Sequence, residues 1–178
     1  NSSVDPSSPY SASKAGAELA VQAWCKTYGI NYIITNCSNN FGEFQHKDKL
    51  IPKFIQCLVK GKVFPLYGNG QNIRDWIYVK DHIDALCHIE AKCPKNERYC
   101  IGANNELSNI NLLNDILLLF NSKQNLNLKL DDVIKFVKDR PGHDFKYSVS
   151  TQKITKHGWK SNYKYNEALT NTFDWYYD

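Results

Sequence analysis

Residues 8–37 read SPYSASKAGAELAVQAWCKTYGINYIITNC, and this stretch decides the fold. Pro9 directly after Ser8 is a favoured helix start, because proline at the first helical position gives up no hydrogen bond. Alanines and larger apolar residues continue the helix to Gly29, a typical C-terminal stop. The nearly continuous apolar run Ile30–Thr35 comes next, and such a run after a helix indicates a parallel strand buried on both faces. The stretch is therefore half of a βαβ unit.

Helices and strands alternate in the rest of the chain. Apolar periodicity predicts helices from Ile51 to Gly61, over about 81–92, after Ser108, near 151–157 and from Asn166 onward. Short apolar runs bounded by turn residues predict strands at Val63–Tyr67, Arg74–Val79, Arg98–Ile101 and Ile134–Val137. Residues 122–132 are predicted to form a loop. This interleaving places the chain in the α/β class. We expect an indistinct domain boundary near 40–50, where the regular parallel unit is followed by a more irregular lobe.

Composition limits the classes of protein to consider. The chain has 178 residues and a net charge of +4, with its basic residues scattered, so we expect no nucleic-acid partner. No apolar run approaches the roughly 20 residues of a membrane span, and the first residues do not resemble a signal peptide. The six cysteines form no CxxC pair and show no zinc spacing, which predicts reduced structural thiols and no metal site.

Tyr10 and Lys14 are the first candidates for chemistry. A spacing of four residues on a helix puts both side chains on one face, one turn apart. An ammonium group close to a phenol favours the phenolate, so such a pair can take a proton from an alcohol near neutral pH. The pattern alone also fits a surface tyrosine beside a solvated lysine, and the neighbouring motifs must decide between the two.

Those motifs carry a resemblance to the extended short-chain dehydrogenase/reductase family. They comprise the Ser8–Tyr10 start of the first helix, Asn36–Asn40 (NCSNN), Lys49–Pro52 (KLIP), Pro65–Gly68 (PLYG), Ile73–Val79 (IRDWIYV) and Asp139–Asp144 (DRPGHD). In this order and spacing they most closely resemble the dTDP-glucose 4,6-dehydratases. The resemblance implies the tail of an NAD-binding Rossmann domain over 1–45 and a smaller, irregular sugar-nucleotide-binding lobe, mainly 46–178.

The resemblance also implies an activity and its catalytic pair. The enzyme would be a lyase that uses bound NAD to remove hydride from the sugar C4, eliminates water across C5–C6 and returns hydride to C6. Tyr10 would be the base at C4, and Lys14 would assist it and bind the nicotinamide ribose. Asn40 would face the cofactor. The glycine-rich turn and the Thr-Asp-Glu segment of such enzymes are absent from the sequence, so we expect this chain alone to be inactive.

A second set of residues would bind the nucleoside-diphosphate sugar. The resemblance assigns this role to Asn39, Lys49, Leu50, Pro65, Tyr67, Arg74, Asn109, Arg140 and His143. Arg74 lies in a strand-like apolar run, where a guanidinium needs a partner. A phosphate is one such partner, and an ion pair with Asp75 or Asp81 is the other. The remaining histidines, at 46, 82, 88 and 157, are interpreted as structural.

Three alternatives remain open at this stage. The chain could belong to a dehydratase that uses UDP-glucose, or to a nucleotide-sugar epimerase or decarboxylase of the same superfamily. It could also be a truncated, non-catalytic sugar-nucleotide-binding module. For the full-length enzyme we expect a cytoplasmic homodimer, paired through the helix that bears Tyr10 and Lys14, where Val21, Trp24 and Cys25 extend the apolar surface.

Overall fold

A computed structural model describes residues 5–6, 8–139, 142 and 144–178. The helices are α1 (Pro9–Tyr28), α2 (Leu50–Val59), α3 (Val79–Lys92), α4 (Asn109–Gln124), α5 (Leu130–Val133), α6 (Gln152–Lys156) and α7 (Tyr165–Tyr177). The strands are β1 (Ile33–Cys37), β2 (Asn39–Phe41), β3 (Phe64–Tyr67), β4 (Ile73–Tyr78), β5 (Glu97–Ile101), β6 (Glu106–Ser108), β7 (Ile134–Val137) and β8 (Lys146–Tyr147). The α/β class predicted from the sequence is confirmed.

The strands form three small groups. β1 pairs in parallel with β5, and β3 pairs in parallel with β7. Between these groups β4 pairs with three strands: β2 and β8 run parallel to it, and β6 runs antiparallel. Because β2 follows β1 after a single residue, the chain passes directly from the first group to the strands around β4.

Two apolar cores underlie these groups. The larger one joins α2, α4 and α7 to β3 and β4, with Phe54, Ile116 and Phe173 almost completely buried. The smaller one lies around β1 and β5 and includes Ile89 of α3 and Ile154 of α6. The buried residues of the smaller core all lie beyond residue 50, and β5 pairs with β1. The boundary expected near 40–50 stays a prediction.

Helix α1 is well capped but buries none of its residues. The Ser8 hydroxyl accepts the backbone N–H of Ser11 at 3.2 Å, and Gly29 ends the helix in the left-handed conformation with φ 66°. Several of its large apolar side chains are exposed: Leu19, Val21, Trp24 and Tyr28. The helix therefore presents an apolar surface that no other described part of the chain covers.

The structure corrects three details of the sequence interpretation. The first strand covers Ile33–Cys37 rather than Ile30–Thr35. The Tyr32 N–H bonds to the Asn96 side-chain oxygen instead of a backbone carbonyl, and Asn96 has φ 61°, so the regular ladder begins one residue later. Residues 122–132 are not all loop, since α4 continues to Gln124, where Asn125 adopts φ 53°, and α5 follows. Strands β2, β6 and β8 are additional to those predicted.

Two general features complete the description. In the described part of the chain, no helix combines the length and apolar character that crossing a membrane requires. The six cysteines are free thiols, and Cys93 is the buried one.

Candidate functional site

Tyr10 and Lys14 lie in the first two turns of α1. The capping by Ser8 and the proline at position 9 fix the start of the helix, and the spacing of four residues puts both side chains on one face. Tyr10 is 74% exposed, and Lys14 is exposed as well. Among the residues that the structure describes, neither side chain forms a hydrogen bond. Both groups are therefore accessible to a ligand.

Tyr147, on β8, contacts the carboxyl end of β1. Its phenol donates a hydrogen bond to the carbonyl oxygen of Cys37, at the carboxyl end of β1, over 3.1 Å. Burial raises the pKa of the Tyr147 phenol, and Tyr10 is near enough to add an electrostatic contribution in the same direction. Tyr10 thus lies at the carboxyl end of a parallel strand, where ligands bind in open α/β sheets.

Arg74 is on β4, where it is the register partner of Tyr147 on β8. Its side chain is almost buried, at 8% exposure. The guanidinium donates hydrogen bonds to the carbonyl oxygens of Ile73 at 2.7 Å, Phe145 at 3.3 Å and Asp144 at 2.7 Å. Since β8 pairs with β4 at Ile73 and Arg74, the guanidinium lies where the 144–147 segment adjoins the sheet.

Backbone amides surround the two carboxylates considered as partners of Arg74. Asp75 accepts the N–H groups of Ala103 at 3.2 Å and Asn105 at 2.8 Å. Asp81 accepts the N–H groups of Asn162 at 2.8 Å and Tyr163 at 3.3 Å, together with the Ser161 hydroxyl at 2.7 Å. Each carboxylate therefore has hydrogen-bond donors that do not depend on an arginine.

Asn39 and Asn40 lie on strand β2 rather than in a loop. Asn39 is opposite Trp76 of β4, two residues from Arg74. The amide nitrogen of Asn40 donates to the Cys37 sulfur at 3.3 Å and to the Ser38 carbonyl at 3.2 Å. Its side-chain oxygen is buried and has no hydrogen-bond partner among the described residues, so it remains able to accept a hydrogen bond.

Three further candidates lie around the turn that follows β3. Pro65 is half-buried, and Tyr67 is 42% exposed at the end of the strand. Asn109 begins α4 and is buried; its N–H donates to the Asn72 carbonyl at 3.0 Å. Gly70 has φ 72°, and its carbonyl accepts the N–H of Ile110 at 2.9 Å, which holds the turn against the start of α4. The backbone thus brings these candidates towards Arg74, because Asn72 immediately precedes β4.

The last four predicted site residues fall into two pairs. Lys49 and Leu50 lie at the start of α2, where the Lys49 ammonium is exposed and 3.9 Å from the Asp48 carboxylate. Arg140 and His143 lie outside the described residues, so their predicted role at the diphosphate stays a prediction.

The sequence interpretation did not single out two features of this region. Tyr147 comes three residues after the quoted Asp139–Asp144 motif, and extending the motif would have included it. Glu18 follows Tyr10 and Lys14 at the same spacing of four, and its carboxylate contacts Asn36 of β1 and Arg98 of β5. A search along one helix face would have found it.

Parallel strands with an exposed Tyr-x-x-x-Lys helix beside them define a Rossmann-type α/β protein. A family model described as GDP-mannose 4,6 dehydratase matches residues 1–172, and the chain belongs to this family.

Individual relatives show which members of the family the chain is similar to. The chain is 46% identical to the dTDP-glucose 4,6-dehydratase of Haemophilus influenzae over 176 residues, which are 96% of this chain and 52% of that protein. The crystal structure of the dTDP-glucose 4,6-dehydratase of Streptomyces venezuelae, which has NAD bound, matches with a TM-score of 0.89 and 36% identity over 99% of this chain and 53% of that one. A UDP-N-acetylglucosamine 4-epimerase from Methanobrevibacter ruminantium matches with a TM-score of 0.83 and 27% identity over 97% of this chain and 54% of that one.

The resemblance to the dTDP-glucose 4,6-dehydratases is therefore confirmed. The chain spans about half the length of the curated relatives that it matches, with shares between 49% and 52% for the first three.

Proposed function

We propose that the protein to which this chain belongs catalyses the NAD-dependent 4,6-dehydration of a nucleoside-diphosphate hexose. dTDP-glucose is the preferred substrate, because relatives named for that reaction are up to 46% identical to the chain. The chain would contribute the base for oxidation at C4 and most of the sugar-nucleotide site. The product is the 4-keto-6-deoxy sugar nucleotide.

One observation carries this proposal. Tyr147 contacts the carboxyl end of β1 and lies near Tyr10, while the adjoining segment 144–145 accepts hydrogen bonds from Arg74. The segment 144–147 thus contacts both the carboxyl end of β1, near the tyrosine proposed as base, and the arginine proposed to bind the diphosphate.

The described residues fit NAD as a cofactor. Tyr10 and Lys14 are exposed on one helix face, and the Asn40 side-chain oxygen is buried without a hydrogen-bond partner among those residues. When bound, NAD accepts hydride from the sugar C4 and later returns it. Lys14 would bind the nicotinamide ribose, and Asn40 would face the cofactor.

The other side chains would bind and orient the substrate. Tyr10 would take the proton from the C4 hydroxyl, because a phenol on the exposed face of α1 can reach a bound sugar. Arg74 would bind the diphosphate together with Asn39 and the 140–143 turn. Tyr67 would give the nucleobase a face for stacking, with Pro65 beside it. Asn109, Lys49 and Leu50 would complete the nucleotide site.

The proposed division into domains rests on the resemblance to the dehydratases. Residues 1–45 would end the cofactor-binding domain, and 46–178 would mainly form the substrate lobe. Strand β5 would return to the cofactor domain, because it pairs with β1 along its whole length.

The uncovered surface of α1 supports a homodimer. Leu19, Val21, Trp24 and Tyr28 are each at least 44% exposed on one 20-residue helix, and a second copy of this helix would bury them about a two-fold axis. The six free thiols favour a reducing compartment, and we propose a cytoplasmic location.

Tyr10→Phe in the full-length protein tests the proposed function. Formation of NADH from bound NAD after mixing with dTDP-glucose should slow by roughly 10²- to 10⁴-fold, because the variant lacks the base. Binding of dTDP should stay nearly unchanged, since the phenol moves a proton and does not hold the diphosphate. Tyr163→Phe is the control, a partly exposed tyrosine outside the proposed site and the proposed dimer surface. Near-normal NADH formation in Tyr10→Phe would contradict the assignment.

A further inference from the structure

Glu18 continues the row of side chains that begins with Tyr10 and Lys14. The three residues are spaced by four along α1, so they lie on one face over two turns. The partly buried residues of α1 lie at spacings of three and four, and Glu18 is the charged one among them; they are Ser11, Ala15, Glu18, Gln22 and Cys25. A polar contact on this face can therefore determine where Tyr10 and Lys14 point.

Glu18 makes such a contact with two strands at once. One carboxylate oxygen accepts a hydrogen bond from the Asn36 amide nitrogen at 2.6 Å, and the other lies 2.6 Å from Nη2 of Arg98. Asn36 is on β1 and Arg98 is on β5. In the parallel register Ile34 is opposite Arg98 and Asn36 is opposite Cys100, so both partners project from the same face of the strand pair.

This arrangement differs from an ordinary surface ion pair. An isolated exposed pair contributes little, because solvent screens it and both side chains are free to move. Here the Glu18 side chain is only 23% exposed, and each of its oxygens has a different donor from a different strand. Two contacts in different directions restrain the rotation of the helix as well as its distance from the sheet.

We infer that Glu18 is a positioning residue for the Tyr10–Lys14 pair, an inference that rests on the proposed function. It fixes the rotation of α1 relative to β1 and β5 by bridging Asn36 and Arg98. With side chains about 5–6 Å from the helix axis, a rotation of about 20° would move the Tyr10 phenol by roughly 2 Å. A displacement of about 1 Å at a reacting group can cost about 10²-fold in rate.

Glu18→Gln and Glu18→Ala in the full-length protein test this role. Glu18→Gln keeps an oxygen for Asn36 and loses the charge for Arg98, whereas Glu18→Ala loses both contacts. The single-turnover rate of NADH formation from dTDP-glucose should fall about 10-fold in the first variant and about 100-fold in the second. The dissociation constant for dTDP should change less than about two-fold, because Glu18 does not contact the nucleotide site. Glu90→Gln, which alters an exposed carboxylate, should leave the rate within about two-fold.

Three further measurements separate positioning from a general loss of structure. The pH dependence of the NADH-forming step should shift in Glu18→Gln and stay unchanged in Glu90→Gln. Amide hydrogen exchange over 9–28 in the ligand-free protein should quicken in the Glu18 variants, while exchange over 50–59 in α2 stays the same. The double exchange E18R/R98E restores the ion pair and should recover most of the rate lost by E18R alone.

The results distinguish the positioning role of Glu18 from the proposed function of the protein. Wild-type rates and wild-type exchange over 9–28 in both Glu18 variants would overturn the positioning role, even if Tyr10→Phe is inactive as expected. If the wild-type protein forms no NADH with dTDP-glucose, the proposed function fails, and unchanged exchange over 9–28 would then refute the restraint on α1 separately. If Glu18→Ala does not fold, Glu18→Gln and the E18R/R98E pair decide the question.

Discussion

Arg74→Ala should weaken both nucleotide binding and the fold, and the two effects can be measured separately. Within the described part of the chain, the guanidinium donates hydrogen bonds to the backbone carbonyls of Ile73, Asp144 and Phe145. A hydrogen bond from a charged group contributes about 1.5–3 kcal/mol, and bonds from one side chain are not additive. We therefore expect the free energy of unfolding to fall by roughly 2–4 kcal/mol.

The loss of affinity has a different origin. If the same guanidinium binds the diphosphate, its removal should weaken dTDP binding by roughly 2–4 kcal/mol, which corresponds to about 30- to 1,000-fold in the dissociation constant. Asp75 and Asp81 keep their backbone donors in the variant, so the mutation should not leave either carboxylate buried without a hydrogen bond.

Calorimetric titration with dTDP and urea unfolding of the ligand-free protein measure the two quantities. Lys146→Ala is the matched control, because it removes a charge from the neighbouring strand β8, where the ammonium forms a surface pair with Glu106. That variant should change each quantity by less than about 1 kcal/mol. A large loss of stability with unchanged dTDP affinity in Arg74→Ala would refute the phosphate role. Unchanged stability would refute the contribution of the bonds to residues 144 and 145.

Three more variants test other parts of the structure. Asp81→Ala should lower the free energy of unfolding by about 2–4 kcal/mol in urea, because two backbone N–H groups lose their acceptor, whereas the exposed Asp131→Ala should have little effect. Burial lowers the pKa of His82 from 6.5. The contribution of the neutral His82 side chain to stability is therefore present above pH 6.5 and is lost as the pH falls below it. The urea midpoint should accordingly fall less between neutral and acidic pH in His82→Gln than in the wild type. Trp24→Glu should convert the proposed dimer to monomer in sedimentation at micromolar concentration, and a dimer of unchanged stability would exclude α1 from the interface.

The sequence predicted most helices because their ends carry local signals. Ser8 and Ser108 accept backbone N–H groups at the starts of α1 and α4, as capping residues do. The end of α4 was missed because Asn125 rather than glycine adopts the left-handed conformation there. Short strands were harder to predict: β2 and β8 have three residues or fewer, and they form only because β4 lies beside them.

The candidate site was likewise only partly predictable from the sequence. The spacing of Tyr10 and Lys14 was sufficient to place both on one helix face. Tyr147 and Glu18 derive their significance from partners far along the chain: Cys37 lies 110 residues from Tyr147, and Asn36 lies 18 residues from Glu18. No local pattern fixes such contacts, because they depend on how the strands pair. The buried Arg74 was predicted to need a partner, but its backbone carbonyl partners could not be identified from sequence.

The pairing of β1 with β5 has a consequence for synthesis on the ribosome. Tyr32 and Asn96, at the beginning of this pair, are 64 residues apart, and the chain builds α2, β3, β4 and α3 between them. At about 5–20 residues per second, β1 leaves the ribosome roughly 3–13 s before the strand that it pairs with. During that interval its edge facing β5 is open to other extended segments. A pause in translation between β1 and β5 should therefore increase aggregation of the nascent chain more than a pause of the same length after β5.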